Sequence, residues 1–278
     1  LKIKEDTSGA ALDELSLLNV FRIGTSAGGA RPKILISEHK KTGKIIAGDR
    51  EVSEDYNHYL VKLYIDDNDG HNKEKVEYAY YLLAQEAGIE MMHSKLIENK
   101  HFATLRYDRQ QGEKQHVLTV TGLTGWDFKS QPENSSYENI FKLALALEVP
   151  HKDLKQLFKR MVFNLVFRNV DDHFKNHSFI YNKESNSWNL GPAYDLTYAL
   201  NPQFTFKTTS RALSINGKRT SLTIKDVLTI AEEFSIKNPK GIIEEVQALI
   251  PRWLALATEL DIPENIIKAI QKEIKEIE

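Results

Sequence analysis

Residues 168–195 carry the side-chain types, at the spacing, that phosphoryl transfer from ATP requires. Asn176 follows Asp171 by five positions, Lys175 lies between them, and Asp195 comes later in the chain. In this chemistry one carboxylate orients the substrate hydroxyl and accepts its proton, while an asparagine and a later aspartate hold the metal ions that neutralise the phosphates. Asp and Asn also favour turns, because their side chains bond to nearby backbone. A helix cap followed by an ordinary loop is therefore the alternative interpretation.

A predicted hairpin would bring these groups together. Residues 178–181 and 188–190 have the composition of short strands, and the polar residues 182–187 between them are typical of a turn. Because a hairpin reverses the chain, it would return Asp195 toward Asp171. Before the loop, residues 152–167 have a broad apolar face, which predicts a buried helix that supports the loop.

The remaining elements divide the chain into a strand-rich front and a helical back. We predict strands at 34–36, 44–47, 58–65, 95–98, 102–107 and 116–120, and helices at 72–87, 137–147, 152–167, 223–234, 238–260 and from 263 onward. Pro251 should kink or split the helix at 238–260, because proline lacks the N–H that a helix interior needs. The fold class expected is α+β.

A run of small residues precedes the first strand. It comprises Ser26, Ala27, Gly28, Gly29 and Ala30, with Lys33 shortly after. Glycines let backbone N–H groups approach a phosphate closely, so the run could hold nucleotide phosphates. A flexible hairpin turn is the alternative. A Walker A loop is excluded, because no Gly-Lys-Ser/Thr sequence opens a helix here.

Two charged residues in the front half could complete a nucleotide site. Lys62 lies within the predicted strand 58–65, and Glu77 lies beside the apolar stripe of the predicted helix 72–87. A strand lysine that contacts ATP phosphates, steadied by a helix glutamate, is one interpretation. The alternative is an edge-strand charge and a solvated glutamate.

Composition excludes several classes of protein. The 278 residues are 41% apolar and 27% charged, with a net charge of −2 and no cysteine. This balance supports a sizeable core and argues against disorder and direct DNA contact, and the lack of cysteine excludes disulfides and thiolate metal sites. No apolar run approaches the ~20 residues of a membrane span and no signal peptide opens the sequence, so we expect a cytoplasmic location with no membrane partner. Residue 1 is Leu, so the sequence could begin inside a longer product.

Taken together, the motifs resemble those of the HipA family of bacterial Ser/Thr kinases, which are toxins of toxin–antitoxin operons. The matching segments are SAGGARPK at 26–33, LVKL at 60–63, EY at 77–78, RYDR at 106–109, DDHFKN at 171–176 and PAYD at 192–195. Val76 replaces the asparagine of the family's N-E-Y helix. The resemblance implies a two-lobed protein-kinase-like fold, with a β-rich N-lobe that contains one helix (1–108) and a mostly helical C-lobe (109–278).

The resemblance also implies roles for single residues. Asp171 would be the catalytic base, with His173 or Lys175 helping to position phosphates, and Asn176 and Asp195 would bind Mg²⁺. The implied nucleotide-binding residues are Ser26, Ala27, Gly28, Gly29, Ala30, Lys33, Lys62, Glu77, Leu105, Tyr107 and Asp108, where the backbone of 105–107 would hold adenine and Asp108 would contact the ribose. Ser26 matches a serine that family members autophosphorylate; the alternatives are a small loop residue without this role, or modification of Thr25.

The function that the resemblance implies is an ATP- and Mg²⁺-dependent protein kinase that blocks translation, with an aminoacyl-tRNA synthetase as substrate. Its partners would be a cognate antitoxin and, through that antitoxin, DNA. Full-length family members carry a small extra domain before the nucleotide loop, whereas 25 residues precede Ser26 here. We therefore expect either a truncated chain or a split system of the HipBST type, in which a separate small subunit supplies that part. A small-molecule phosphotransferase and a nucleotide-tuned binding module are the alternative functions.

Overall fold

The computed structural model describes residues 32–48, 53–64, 72–127, 129–199 and 210–278. These residues form two compact units. The first unit contains the described residues up to 64 together with residues 93–115, and the second contains residues 72–92 and the described residues from 116 to 278. Each unit has its own hydrophobic core.

The first unit is built on a five-stranded antiparallel sheet. Its strands are β1 (Lys33–His39), β2 (Ile45–Ala47), β3 (Tyr56–Lys62), β4 (Ser94–Ile97) and β5 (His101–Leu105), in the spatial order β2-β1-β3-β5-β4. Two short strands, β6 (Arg109–Gln110) and β7 (Glu113–Lys114), pair as a separate ribbon. Among the described residues, the core of this unit consists mainly of alternate apolar residues from β1 and β3.

The second unit is mostly helical. Its helices in the described residues are α1 (Lys73–Glu86), α2 (Val120–Thr124), α3 (Tyr137–Ala146), α4 (His151–Val166), α5 (Ile224–Glu233), α6 (Pro239–Gln247), α7 (Arg252–Glu259) and α8 (Glu264–Glu273). Helix α1 packs here because Tyr80, on its apolar stripe, contacts the rings of Phe163, Phe167 and Trp253 at centroid distances of 5.6 to 6.2 Å. The sequence analysis had assigned this helix to the N-lobe; the lobe limits 1–108 and 109–278 themselves remain a prediction.

A three-stranded sheet lies beside the loop that carries Asp171. It consists of β8 (His116–Thr119), β9 (Ser178–Asn182) and β10 (Ser187–Leu190), in the order β10-β9-β8. The antiparallel pair β9–β10 is the predicted hairpin. Helix α4 is tied to it, because Asp153 in its first turn accepts a hydrogen bond of 2.8 Å from the backbone N–H of Leu190.

Local end signals explain where several helices begin and end. Gly88 follows α1 with φ of 70°, and the N–H groups of Gly88 and Ile89 donate to Gln85 and Ala84, which is the Schellman arrangement. Helix α5 begins with a capping box formed by Thr223 and Asp226, and Pro251 separates α6 from α7 as expected. The predicted elements and the α+β class are therefore confirmed.

One detail at the end of the chain differs from expectation. The sequence predicted a helix from residue 263 onward, but α8 ends at Glu273, and Ile274 and Ile277 lie in a non-helical segment after it. They are buried all the same. Within the described ranges, no helix combines the length and the hydropathy that a bilayer crossing would require.

Candidate active site

The loop after α4 presents Asp171 and closes on itself through Asn176. Arg168, directly after the helix, has φ of 57° and turns the chain away from the helix axis. A short 3₁₀ helix, Phe174–Asn176, follows, and the side-chain N–H₂ of Asn176 donates to the carbonyl of Asp171 at 2.9 Å. The buried ring of Phe174 anchors this turn in the core of the second unit. The two predicted residues are thus held in one compact loop.

The adjacent aspartates of this loop have opposite environments. The side chain of Asp171 is 67% exposed, whereas that of Asp172 is fully buried. Asp172 forms an ion pair of 2.6 Å with Arg211, which is also buried, and accepts a hydrogen bond of 2.7 Å from the hydroxyl of Tyr137. Asp172 therefore anchors the loop, and Asp171 remains accessible to a reactant.

The carboxylate of Asp195 acts on the carboxylate of Asp171. Loss of surrounding water raises the pKa of Asp171; the charge of His173 opposes this rise, and the negative charges of Asp195 and Asp172 add to it. Asp195 itself has φ of 55°, a left-handed conformation that Asp tolerates better than most residues. The hairpin has therefore returned Asp195 to the neighbourhood of Asp171, as the sequence predicted.

The two basic residues of the motif lie on either side of the 3₁₀ helix start. His173 places its Nε2 atom 3.9 Å from a carboxylate oxygen of Asp171. The Lys175 side chain is 54% exposed, 3.7 Å from Asp127, and its backbone carbonyl accepts a 2.7 Å hydrogen bond from the hydroxyl of Tyr194. Tyr194 precedes Asp195, so this bond joins the loop of Asp171 to that of Asp195.

The residue after the loop, His177, is neutral and structural. Burial lowers its pKa to about 4, against the opposing attraction of Asp172. Its Nε2 atom lies 3.3 Å from the backbone carbonyl of Asp172, and because a carbonyl only accepts, this nitrogen carries the hydrogen. His177 therefore fixes the buried side of the loop without adding charge.

Sequence analysis missed the buried polar residues that support the site. They are Tyr137, Asn164, Asn169, Asp172 and Arg211, all at most 2% exposed. Arg211 is buried because it pairs with Asp172. The detectable signal was Asn164, a polar residue inside the broad apolar face of α4, which requires a buried partner.

In the first unit, the predicted phosphate-binding lysines are direct neighbours. Lys33 of β1 and Lys62 of β3 are paired in register, so their side chains leave the same face of the sheet. Lys62 is buried, and its ammonium lies 6.0 Å from the centre of the Phe102 ring. The pairing of Lys33 with Lys62 places two positive charges side by side on one face of the sheet.

The predicted adenine- and ribose-binding segment follows β5. The backbone N–H of Leu105 donates to His93, and that of Arg106 donates to His58, so neither N–H is left for adenine. Asp108 accepts hydrogen bonds of 2.7 to 2.9 Å from Arg106 and Arg109. Partial burial raises the pKa of Asp108, but the two arginines together lower it by more, so the pKa of Asp108 lies below its ordinary value. The roles of Leu105, Tyr107 and Asp108 in nucleotide binding remain predictions.

The remaining parts of the predicted nucleotide site are Glu77 and the run of small residues at 26–30. Glu77 lies on α1 and is 7% exposed, so it is not the solvated glutamate of the alternative interpretation. Ser26, Ala27, Gly28, Gly29 and Ala30 lie outside the described residues.

The predicted magnesium ligands can be tested against their chemistry. Among the described residues there is no cluster of three or more His, Asp and Glu side chains that could hold a metal by themselves. Asp195 and Asn176 form a smaller set, and the Asn176 amide nitrogen is used by Asp171, which leaves the amide oxygen for a cation. Magnesium is usually bound by one or two carboxylates together with substrate phosphates. The donor types therefore fit Mg²⁺, with the nucleotide completing the shell.

Comparison with known families identifies the class of this chain. Residues 25–272 match the model of the HipA-like C-terminal domain. The chain therefore belongs to the HipA-like C-terminal domain family. Comparison with curated protein sequences returns no match.

Two solved structures share the fold. One is HipA of Shewanella oneidensis MR-1, from a complex of HipA, HipB and operator DNA, with a TM-score of 0.64 and 16% identity. The match covers 90% of this chain but 63% of that HipA chain. The other is the Helicobacter pylori proinflammatory kinase CtkA, with a TM-score of 0.51, 15% identity and 90% of each chain covered. The predicted protein-kinase-like fold is thus confirmed.

Proposed function

We propose that this protein is an ATP- and Mg²⁺-dependent protein serine/threonine kinase and the toxin of a toxin–antitoxin system. The observation that carries the proposal is the loop of Asp171. An exposed carboxylate with a raised pKa lies close enough to Asp195 to feel its charge, and Asn176 closes the same loop. A loop that served only as a structural turn would not require two carboxylates that repel each other, whereas functional sites often contain such pairs.

Each residue has a distinct role in this proposal. Asp171 orients the substrate hydroxyl and accepts its proton, and the raised pKa brings this base closer to the operating pH. Asn176 and Asp195 would hold Mg²⁺, which neutralises charge on the phosphates when bound. Lys33 and Lys62 contribute positive charge from neighbouring strands, and His173 and Lys175 contribute it beside the base.

The proposed substrates and partners follow from family membership. We propose an aminoacyl-tRNA synthetase as the protein substrate and Ser26 as the site of autophosphorylation. A cognate antitoxin would bind the protein and connect it to operator DNA, as HipB does in the Shewanella complex. The net charge of −2 supports DNA contact through the antitoxin rather than directly. A separate small subunit remains part of the proposal.

Transfer of labelled phosphate from ATP tests this function. The purified protein should label itself and at least one lysate protein, and mass spectrometry should locate the sites. Asp171→Asn and Asp195→Asn should each reduce labelling by at least ~100-fold, the scale of losing a general base or a metal ligand. Asparagine is chosen at 195 because it tolerates the left-handed backbone there.

Asp261→Asn is the matched control. Asp261 follows α7, is exposed, and has φ of 52°, so the substitution makes the same chemical change in the same backbone conformation outside the site. It should leave labelling intact. Equal labelling by wild type and both site variants would reject the assignments, and phosphate found only on a small molecule would favour a metabolite phosphotransferase.

A further inference from the structure

A buried chain of hydrogen bonds joins the two loops that carry Asp171 and Asp195. The hydroxyl of Tyr137 donates to Asp172 at 2.7 Å and accepts from the amide of Asn164 at 2.9 Å. The amide of Asn169 then donates to Asn164 at 3.0 Å and to the backbone carbonyl of Asp195 at 3.5 Å. Since Asp172 is the peptide neighbour of Asp171, these hydrogen bonds run from the loop of the predicted catalytic base to the backbone of Asp195, the predicted metal ligand.

We infer that Tyr137 is a positioning residue for the phosphoryl-transfer reaction, because its hydroxyl is the junction through which both loops are held. The inference rests on the proposed function. Tyr137 has no exposed surface, so it acts through Asp172 and Asn164, the side chains to which its hydroxyl is bonded. The ring itself is packed against His177 at a centroid distance of 5.7 Å.

The ion pair at one end of the hydrogen-bond network serves to orient the backbone of a loop. Asp172 and Arg211 are both fully buried, and their ion pair is 2.6 Å long. Removing two charges from water costs several kcal/mol, so apolar residues of similar volume would often stabilise a core equally well. Directional bonds do what apolar contacts do not, because they determine the orientation of the backbone. Here the oriented backbone is that of the Asp171 loop.

The other end of the hydrogen-bond network holds the turn at Asp195. Asn169 lies one residue after Arg168, where the chain turns with positive φ, and it bonds to the carbonyl of Asp195, which also has positive φ. Both turns depend on surrounding contacts, since this backbone region is sparsely populated by residues other than glycine. Loss of the Tyr137 hydroxyl would loosen both turns together.

Tyr137→Phe tests the inference, with Tyr80→Phe as its matched control. Both tyrosines are fully buried in the second unit, and each hydroxyl donates one hydrogen bond of 2.7 Å. The acceptor for Tyr80 is the carbonyl of Phe167, which is outside the hydrogen-bond chain. We expect Tyr137→Phe to reduce kcat at least 10-fold with KM for ATP changed less than twofold. Tyr80→Phe should lower the melting temperature by a similar amount but leave kcat within twofold.

Two further measurements keep the inference testable. Asn169→Ala removes the link to Asp195 only, and it should lower kcat at least fivefold even if Tyr137→Phe fails to fold. Amide hydrogen exchange of residues 169–177 needs no activity, and Tyr137→Phe should accelerate it more than Tyr80→Phe does. If wild type transfers phosphate but Tyr137→Phe keeps its kcat, the inference is overturned and the proposed function stands. If wild type transfers none, the proposed function fails, and unchanged exchange would then overturn the positioning role as well.

Discussion

At the scale of residues, two neighbouring aspartates of one loop perform opposite tasks. Asp172 is surrounded by donors and forms a buried ion pair with Arg211, whereas Asp171 extends into solvent near other negative charges. The environment of Asp171 favours its neutral form, so its charge at neutral pH weakens the folded state. Function and stability are therefore in conflict at this position.

Asp171→Asn should stabilise the protein at neutral pH while it removes activity. The raised pKa means that folded protein retains the proton more strongly than unfolded protein, so stability falls as pH rises through the interval above the ordinary aspartate pKa. Because the side chain is largely exposed, the substitution should raise the free energy of unfolding by only about 0.5 kcal/mol, or the melting temperature by roughly 1–2 °C. Thermal unfolding between pH 3 and pH 8 would measure it.

The added stability of Asp171→Asn should be present at pH 7 and absent at pH 3, where Asp171 of the wild type is protonated in both the folded and the unfolded protein. Glu184→Gln, in the exposed turn of the β9–β10 hairpin, changes charge in the same way at a different place and serves as the control. A destabilised Asp171→Asn at pH 7 would contradict the expected repulsion.

At the scale of elements, the β9–β10 hairpin depends on one glycine where it joins the loop of Asp195. Gly191 follows β10 directly, and its N–H donates to the carbonyl of Ser178, the first residue of β9, at 2.8 Å. A Cβ atom at 191 would lie 2.5 Å from the Ser178 hydroxyl oxygen and 3.1 Å from its carbonyl oxygen. The hairpin can therefore return the chain to Asp195 only if position 191 has no side chain.

Gly191→Ala should destabilise the second unit by about 1–3 kcal/mol, the usual cost of overpacking. It should also lower kinase activity, because the strain displaces the segment that ends at Asp195. Adding Ser178→Ala removes the nearest clashing atom and should recover part of the lost stability, which denaturant unfolding of the single and double variants would measure.

Gly122→Ala serves as the control for a glycine substitution without strain. Its Cβ would lie 3.4 Å from its nearest neighbour, so stability should change little. If Gly191→Ala behaves like Gly122→Ala, the close approach of Gly191 to Ser178 has no energetic consequence.

At the scale of the whole molecule, the cores that the described residues form differ greatly in size between the two units. In the first unit, the described residues contribute six buried apolar side chains to the core, namely Ile34, Ile36, Tyr59, Val61, Leu63 and Ala103. The core of the second unit extends over its helices from α1 to α8 and over the hairpin. Small cores bury too little apolar surface to offset much conformational entropy, so the first unit should be the less stable.

Amide hydrogen exchange should show this difference directly. We expect the amides of β1 and β3 to exchange at least ~10-fold faster than those of α4, because local opening of the first unit exposes less apolar surface. Added ATP should slow exchange in β1 and β3, since a ligand that binds only the folded form stabilises it and these strands carry Lys33 and Lys62. Equal protection in both units would show a single cooperative transition instead.

The amino-acid sequence alone determined the helices and strands and showed which side-chain types are available for a reaction. Helix periodicity, the break at Pro251 and the β9–β10 hairpin were all predicted correctly, because each depends on residues a few positions apart. The spacing of Asp171, Asn176 and Asp195 indicated a phosphoryl-transfer site within one segment, and the roles of these residues remain a proposal.

Only the tertiary structure decided which polar residues are buried and which are exposed. Nothing local distinguishes Asp171 from Asp172, because the partner of Asp172 is Arg211, 39 positions away, and its other partner is Tyr137, 35 positions away. The need for glycine at 191 was equally hidden, since it arises from a strand that begins at Ser178. Burial of a charge and contact between backbones depend on segments distant in sequence, and short-range patterns carry no record of them.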